Sequence, residues 1–215
     1  MNRDFLLVIP ARYKSSRFPG KPLIDINGKS MLRRVWEKCV ESSSEKNVII
    51  ATDDARIEEH CLQFGMNSIM TSENCLTGTD RVAEVAKKID ADFYVNVQGD
   101  EPLINPRDIE AVVRAFNEDP SYTYCAMSKS DLRDDYKNRN IPKVVTAIDG
   151  SLLYISRAGI PANKEGLAIP IMKQVCIYAF PKVHLAKFGI GKDKTDLESL
   201  EDIELLRLIE LGCKV

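Results

Sequence analysis

Histidine and closely spaced cysteine are what this sequence lacks most clearly. The 215 residues contain two histidines, His60 and His184, each within a predicted helix. This scarcity argues against a metal site built from several histidines and against a histidine-dependent catalytic triad. The six cysteines are scattered and include no C-x-x-C pair. They therefore indicate incidental thiols of a reducing compartment, rather than a disulfide or zinc framework.

Long apolar runs and an excess of one charge are also missing. No segment approaches the length of a membrane span, and the start lacks the apolar region of a signal peptide, so we expect a cytoplasmic protein without membrane contact. Lys and Arg number 30 against 32 Asp and Glu, a net charge of -2, whereas a general nucleic-acid binder needs a basic surplus. The length suggests one domain, 1–215.

A basic loop follows the first predicted strand, the apolar run 5–9. Prolines and a glycine break any helix or strand across 10–22, so this segment must be a loop. It carries four cations: Arg12, Lys14, Arg17 and Lys21. Because α/β folds bind ligands at the carboxyl ends of their strands, and because guanidinium and ammonium groups suit phosphate, we interpret the loop as part of an active site. The alternative is a solvated basic turn.

An acidic tip follows another apolar strand, 93–97. Its sequence is Gln98-Gly99-Asp100-Glu101-Pro102. Carboxylates at the carboxyl end of a central strand, with a glycine that permits close approach, suit Mg²⁺. The alternative is a tight turn with solvated acids. No G-x-G-x-x-G follows the first strand, which disfavours an NAD-binding protein.

Alternating strands and helices organise the first half of the chain. We predict strands over 48–52 and 67–71 and helices over 30–40, 55–64, 77–89 and 106–117. This alternation predicts a parallel sheet wrapped by helices. Asp53 and Asp54 form either a functional pair or, as we favour, a helix cap. The Gly78-Thr79 turn offers free backbone N–H groups to an anionic or carbonyl ligand.

The second half of the chain shows a different order of predicted secondary structure. Strands are predicted over 123–128, 143–147, 152–157 and 174–180, with a polar, flexible connection over 131–140. Because no helix separates the last three strands, we expect a small antiparallel excursion of about 123–180, suited to a lid or an oligomer interface. Two helices, 182–188 and 200–211, close the chain.

Collinear motifs give the chain a resemblance to a known family. They are Ile9-Pro10-Ala11-Arg12, Arg17-Phe18-Pro19-Gly20-Lys21-Pro22-Leu23, Ala51-Thr52-Asp53, Thr77-Gly78-Thr79-Asp80-Arg81, Val95-Asn96-Val97-Gln98-Gly99-Asp100-Glu101-Pro102, Tyr154-Ile155-Ser156-Arg157-Ala158 and Ile177-Tyr178. In these motifs the chain resembles the CMP-sugar synthetases, and most closely the 3-deoxy-manno-octulosonate (Kdo) cytidylyltransferases. The resemblance implies a Rossmann-like, mostly parallel sheet flanked by helices, a homodimer built through the antiparallel excursion, and a role in bacterial surface polysaccharide or lipopolysaccharide synthesis.

The resemblance also implies roles for individual residues. CTP would be held by Ala11, Arg12, Arg17, Lys21, Gly78 and Thr79. The acidic sugar would be held by Gln98, Arg157, Tyr178 and Glu204. Asp100 would bind Mg²⁺ and, with Arg12 and Lys21, carry catalysis. In the family, a second Mg²⁺ carboxylate comes from a segment that would follow Val215, the last residue of this sequence. We therefore expect either a truncated chain or a metal site completed differently.

Two departures from the family pattern fall on the sugar side. Gln174 stands where the Kdo enzymes carry a histidine, and the pair expected as Glu-Gln reads Glu204-Leu205. The hypothesis is in-line attack of a 2-keto-3-deoxy sugar acid on the α-phosphorus of CTP, which releases pyrophosphate. Alternatives are the same chemistry on sialic acid, another nonulosonic acid or 8-amino-Kdo, and a non-catalytic nucleotide-binding protein.

Overall fold

Ten strands, eight α-helices and two 3-10 helices, Lys21–Leu23 and Glu45–Asn47, occur in the residues that the computed structural model describes, 4–14, 18–166, 170–189 and 193–215. The strands are β1 (Phe5–Ala11), β2 (Asp25–Ile26), β3 (Lys29–Ser30), β4 (Val48–Thr52), β5 (Ser68–Met70), β6 (Phe93–Val97), β7 (Tyr124–Ser130), β8 (Lys143–Thr146), β9 (Leu152–Ser156) and β10 (Ile171–Pro181). The helices are α1 (Met31–Ser42), α2 (Ala55–Gln63), α3 (Gly78–Lys88), α4 (Pro106–Glu118), α5 (Arg133–Lys137), α6 (Lys182–Phe188), α7 (Asp196–Glu201) and α8 (Glu204–Glu210).

The main sheet has a parallel half and an antiparallel half. Its order is β5-β4-β1-β6-β10-β8-β9, with β7 paired to the other side of β10. The first four strands in this order are parallel to one another. Strand β10 runs antiparallel to β6, β7 and β8, and β8 and β9 form an antiparallel pair. Because β1 and β6 are adjacent and parallel, the loops that follow them leave the same edge of the sheet.

Two apolar clusters cover the two faces of the sheet. Alternation along β1 sends Leu6 and Val8 to one face and Leu7 and Ile9 to the other, so this strand is buried on both sides. Helices α3, α6 and α8 cover the first face, and α1, α2 and α4 cover the second. The apolar residues that recur at helical spacing in the sequence are the ones that pack on the sheet. Burial of this apolar face stabilises each helix.

The fold class predicted from the sequence is confirmed: an α/β sheet flanked by helices, with an antiparallel excursion. The single-domain assignment and the boundaries 123–180 stay predictions. None of the helices in the described ranges combines the length and apolarity that a membrane crossing requires.

Three local predictions were wrong. The segment 10–22 was expected to be a loop throughout, but β1 continues through Pro10 and Ala11, where it pairs with β4 alone, and a 3-10 helix begins at Lys21. The helix expected over 200–211 is two short helices, α7 and α8, because Asp202 adopts the left-handed conformation (φ 52°, ψ 49°) and interrupts the helical hydrogen bonds. The connection expected to be flexible over 131–140 contains α5. Its Tyr136 is buried and donates a hydrogen bond to the Gly159 carbonyl, and this anchor orders the segment.

Candidate active site

A basic cleft lies at the carboxyl ends of β1 and β6. It has a volume of about 410 Å³ and is lined by Pro10, Ala11, Arg12, Phe18, Lys21, Pro22, Gln98, Gly99 and Asp100. The loop after β1 supplies its cations and the loop after β6 supplies its carboxylate. The structure therefore brings together the basic loop and the acidic tip that the sequence predicted separately.

One ion pair joins the two sides of the basic cleft. Lys21 Nζ donates to Asp100 Oδ2 at 2.5 Å, and both side chains are about half exposed. Arg12 is exposed beside them, and no described residue accepts a hydrogen bond from its guanidinium group. Arg12 therefore offers its donors to an anionic ligand, while Lys21 and Asp100 hold each other at the position that a phosphate and its cation need.

Gly99 allows the acidic tip to approach β1. A Cβ added at Gly99 would lie 2.8 Å from the Pro10 carbonyl oxygen, a distance that real Cβ atoms essentially never show. Neither atom belongs to a flexible side chain, so the strand ends would have to separate. A glycine at this position is thus what lets Asp100 stand opposite Lys21.

A second cleft of about 200 Å³ opens beside the N-terminus of α3, and we call it the α3 cleft. It shares part of its lining with the basic cleft: Pro10, Ala11, Arg12 and Gln98. Its remaining lining is Cys75, Leu76, Thr77, Gly78, Arg81, Lys194, Glu198, Asp202 and Glu204. A ligand that spans both clefts would meet cations in the basic cleft and a helix N-terminus in the α3 cleft.

Glu204 occupies the N-terminus of α3. Its carboxylate accepts from Gly78 N at 2.9 Å and Thr79 N at 3.1 Å, and also from the Thr79 hydroxyl. Burial raises the pKa of the Glu204 carboxyl, although these hydrogen bonds oppose the rise. The N–H groups of Gly78 and Thr79, expected to face a nucleoside, are therefore donated to a side chain from α8.

A capping box forms the turn before these N–H groups. The Thr77 hydroxyl accepts from Asp80 N, and the Asp80 carboxylate accepts from Thr77 N at 2.8 Å. On the next turn, buried Arg81 donates to Thr71 Oγ1 and to Asp53 Oδ2 at 2.7 Å. Through Thr71, Arg81 thereby anchors the segment that precedes the Thr77 turn. Of the two acids expected to cap α2, Asp54 does so, whereas Asp53 pairs with Arg81.

Arg157 lies at a third cavity, which we call the Arg157 cleft. This cleft is lined by Tyr136, Lys137, Arg139, Arg157, Ala158, Gly159, Ala162, Gly166, Leu200 and Glu201. The guanidinium group donates to the carbonyls of Glu201, Arg139 and Asp202. Glu201 also accepts from Arg157 N at 2.9 Å. Each guanidinium nitrogen makes one of these hydrogen bonds, which orients the side chain, and Nη1 and Nη2 each retain one further N–H.

Two of the predicted sugar-binding residues differ in their access to these clefts. Gln98 lines both the basic cleft and the α3 cleft, and its amide lies against Gly78, where a Cβ would be 3.2 Å from Nε2. Tyr178 is 5% exposed, and its hydroxyl accepts from Gln174 Nε2 at 2.8 Å. Leu205, the other departure from the family pattern, is buried in the core. Gln98 therefore faces a ligand space, while Tyr178 lies behind it.

The predicted site residues are mostly brought together. Ala11, Arg12, Lys21, Gln98 and Asp100 line the basic cleft, Gly78 and Glu204 line the α3 cleft, and Thr79 is buried directly beneath Glu204. Arg157 lines a neighbouring cavity, and Tyr178 lies in the core. Arg17 lies outside the described residues.

A buried ion network behind the α3 cleft was missed from the sequence. Arg207 is 2% exposed, donates bidentately to Glu198 and pairs with Asp80 at 2.9 Å. Its guanidinium carbon lies 3.8 Å from the centroid of the Phe188 ring. The network ties α7 and α8 to the turn that opens α3. Charges in an apolar helical pattern, as in Leu205-Leu206-Arg207-Leu208, are the signal that could have revealed it.

The basic cleft offers Mg²⁺ one suitable protein ligand. Asp100 supplies a hard carboxylate oxygen at the edge where phosphates would lie, and Mg²⁺ commonly uses one or two carboxylates together with phosphate oxygens. Within the described residues, no group of three or more His, Cys, Asp and Glu side chains converges as a metal cage. The donor set therefore suits a metal that arrives with a phosphorylated ligand.

An α/β sheet with a basic, carboxylate-bearing cleft at the carboxyl ends of its parallel strands is typical of an enzyme that binds a phosphorylated ligand. Comparison with known proteins identifies the family to which this chain belongs. A family model described as cytidylyltransferase matches residues 6–215. The chain belongs to the cytidylyltransferase family and is a nucleotidyltransferase.

Relatives in this family include 3-deoxy-manno-octulosonate cytidylyltransferases. The protein of that name from Syntrophotalea carbinolica is 43% identical, over 95% of this chain and 86% of the relative. The one from Escherichia coli is 37% identical, over 98% of this chain and 85% of the relative.

Solved structures agree with this assignment. A CMP:2-keto-3-deoxy-manno-octonic acid synthetase complexed with CTP superposes with a TM-score of 0.90 at 37% identity, over 98% of this chain and 87% of that chain. A cytidylyltransferase from Leptospira borgpetersenii superposes with a TM-score of 0.62 at 18% identity, over 98% of this chain and 73% of that chain. The second match supports the fold alone.

Proposed function

We propose that this enzyme transfers CMP from CTP to 3-deoxy-manno-octulosonate and releases pyrophosphate. The observation that carries the proposal is the pairing of Lys21 with Asp100 across the basic cleft, beside Arg12. This arrangement suits a triphosphate with its divalent cation, and relatives that are 37% and 43% identical to the chain carry the name of this activity.

The reaction we propose is a direct displacement at the α-phosphorus. The anomeric hydroxyl oxygen of the sugar acid forms a bond to that phosphorus as the bond to pyrophosphate breaks, and the hydroxyl proton passes to solvent. Such transfer needs alignment and charge neutralisation rather than a protein nucleophile. The thiol that lines the α3 cleft agrees with this, because burial raises the pKa of Cys75 and so disfavours the nucleophilic thiolate.

Each cleft residue has a defined task in this proposal. Arg12 and Lys21 bind the phosphate oxygens and stabilise the pyrophosphate as it leaves. Asp100 would hold Mg²⁺, which when bound would neutralise phosphate charge and lower the pKa of the attacking hydroxyl. Gln98, which lines both clefts, is placed to orient the sugar against the nucleotide. Glu204 fixes the wall on which the nucleoside would rest.

The sugar is the part of the proposal that most needs a test. The two positions that depart from the family pattern, Gln174 and Leu205, are not among the lining residues of the three clefts. They favour no particular sugar by direct contact. Kdo remains our proposal because the relatives carry its name; sialic acid and 8-amino-Kdo are the competing substrates.

The decisive experiment measures pyrophosphate release from CTP and Mg²⁺ with Kdo, 8-amino-Kdo and sialic acid offered separately. We expect release with Kdo and little with the other two sugars. Release with only another sugar would replace Kdo in the proposal. Silence with all three, together with measurable CTP binding, would support a nucleotide-binding protein without turnover.

Further features of the proposal follow from the family rather than from the cleft. We propose a homodimer assembled through the antiparallel excursion, a cytoplasmic location, and a product used in surface polysaccharide or lipopolysaccharide synthesis. Light scattering tests the dimer directly. A monomer at micromolar concentration would contradict that part of the proposal without affecting the chemistry.

A further inference from the structure

Asp202 joins α7 to α8 in an unusual backbone conformation. Its φ of 52° and ψ of 49° lie in the left-handed region. Among the described residues other than glycine, only Asn27 also has a positive φ. Left-handed backbone costs energy for residues with a Cβ, and such residues cluster where structure serves a site. Asp202 lines the α3 cleft.

Two cations, Lys194 and Arg157, lie beside the Asp202 carboxylate. Lys194 Nζ donates to Oδ1 at 2.5 Å, and an Arg157 guanidinium nitrogen lies 3.7 Å from Oδ2. Arg12 lines the same cleft. The hydrogen bond from Lys194, with Arg157 and Arg12, holds the pKa of the Asp202 carboxyl below its usual range. Asp202 lines the α3 cleft and Arg157 lines the Arg157 cleft, and the hydrogen bond from Arg157 to the Asp202 carbonyl joins the two linings.

This arrangement is the environment expected around a bound carboxylate. Lys194 hydrogen-bonds one carboxylate oxygen and Arg157 lies near the other, as two cations would lie around the acid group of a small molecule. Yet the Asp202 side chain is 71% exposed. An exposed ion pair is weak, so a carboxylate from a ligand can displace this one at little cost.

We propose that Asp202 is a specificity-determining competitor: its carboxylate occupies the position that the carboxylate of an acidic substrate takes between Lys194 and Arg157. The identity of that substrate rests on the proposed function, whereas the anion position itself does not. By filling the position, Asp202 weakens binding of every small carboxylate and leaves neutral analogues unaffected.

The test is the substitution Asp202→Asn, which removes the charge and retains a residue that tolerates left-handed backbone. The probes are pyruvate, a small 2-oxo acid, and its neutral amide, each titrated against the full chain by protein-observed NMR. We expect Asp202→Asn to bind pyruvate about fivefold more tightly, which is the scale of one partly screened charge, and to bind the amide unchanged. Unchanged or weaker pyruvate binding would overturn the proposal.

Two further variants test whether the effect on pyruvate binding is specific to Asp202. Asp193→Asn removes an exposed negative charge from the same segment and should leave pyruvate binding within about twofold of the parent. Lys194→Met removes one of the two cations that contact Asp202 and should weaken pyruvate binding. Equal tightening by Asp193→Asn and Asp202→Asn would point to net charge alone and would overturn the specific role of Asp202.

The same variants separate this inference from the proposed function. If Kdo is the substrate, Asp202→Asn should lower the KM for Kdo about fivefold with little change in the KM for CTP. Tighter pyruvate binding without any turnover of Kdo would support the anion position and reject the proposed sugar. Turnover of Kdo with no change in KM and no change in pyruvate binding would reject the competitor and leave the proposed function standing.

Discussion

Lys21 Nζ and Asp100 Oδ2 lie 2.5 Å apart, although 79 residues separate them along the chain. The contact exists because β1 and β6 are adjacent and parallel, so that their loops leave the same edge of the sheet. As an exposed ion pair it contributes only about 0–1 kcal/mol to folding. Its position therefore matters more to ligand binding than to stability.

Replacing Asp100 by Asn should abolish turnover while sparing the fold. If Asp100 holds the Mg²⁺ that accompanies CTP, loss of its charge should reduce kcat by at least about a hundredfold, since a metal ion contributes several kcal/mol to such reactions. Pyrophosphate release gives the rate, and thermal unfolding should change by only a few degrees. Glu110→Gln, on an exposed face of α4, is the matched control and should retain full activity.

Undiminished turnover in Asp100→Asn would refute its role as the metal ligand. A fall in the melting temperature large enough to explain the loss of activity would contradict the expectation that the fold is spared. Mg²⁺ titration followed by CTP binding provides a second readout that does not depend on turnover.

Gly99→Ala should damage both stability and activity. The added Cβ would lie 2.8 Å from the Pro10 carbonyl oxygen, so β1 and β6 would have to separate at their carboxyl ends. Overpacking of this kind costs about 1–3 kcal/mol, and the separation would draw Asp100 away from Lys21. Urea unfolding measures the first effect and the KM for CTP the second.

Gly189→Ala is the control for that substitution, because the nearest atom to its added Cβ is 3.4 Å away. We expect a change below about 1 kcal/mol in that variant. Equal stability of Gly99→Ala and the parent protein would show that the strand ends relax, and would contradict our account of the close approach.

Sequence reasoning succeeded where signals were local. The strand at 5–9, the basic loop and the acidic tip around Asp100 are short motifs whose chemistry does not depend on distant residues, and the structure brings the loop and the tip to one cleft. The left-handed turn at Asp202 was missed because the apolar spacing of 200–211 also fits one continuous helix. Its reason is tertiary: Glu201 binds the end of β9, while Glu204 binds the start of α3.

The partners of the charged and polar groups could not be predicted from the sequence either. Asp53 and Asp54 are neighbours, yet one pairs with Arg81 and the other caps α2. The N–H groups of Gly78 and Thr79 looked available to a ligand, but a carboxylate 125 residues beyond Thr79 accepts from them. Such partners are chosen by packing, which periodicity does not encode.

Acid should destabilise the protein through His184. Its ring is buried, its Nδ1 lies 2.9 Å from Thr123 Oγ1, and burial lowers its pKa in the folded state, with a smaller effect from Lys187. Because the unfolded chain takes up the proton first as the pH falls, the contribution of His184 is present above the unfolded pKa, about 6.5, and is lost as the pH falls below it.

The free energy of unfolding, measured in urea between about pH 7.5 and 5, should therefore decline, and His184→Gln should show a smaller decline than the parent. His60, the other histidine, also has a pKa lowered by burial, so part of the decline should remain. An identical pH dependence in His184→Gln and the parent would contradict the assignment.

Arg207→Met should be among the most destabilising single substitutions in the chain. It leaves Glu198, which is fully buried, without the guanidinium that neutralises it, and it removes a partner from Asp80. Breaking a buried ion pair from one side costs about 3–5 kcal/mol. We expect a loss of that size in urea unfolding, together with a higher KM for CTP, because Asp80 holds the Thr77 turn beside the α3 cleft.

The double variant Glu198→Leu with Arg207→Met separates charge from packing. Replacing a whole buried pair by apolar side chains is often neutral, so most of the stability lost in Arg207→Met should return. The raised KM for CTP should persist, since neither replacement restores the contact with Asp80. Recovery of both stability and KM would mean that the network serves folding alone. Recovery of neither would mean that the Arg207 side chain acts through its stacking on Phe188 rather than through its charge.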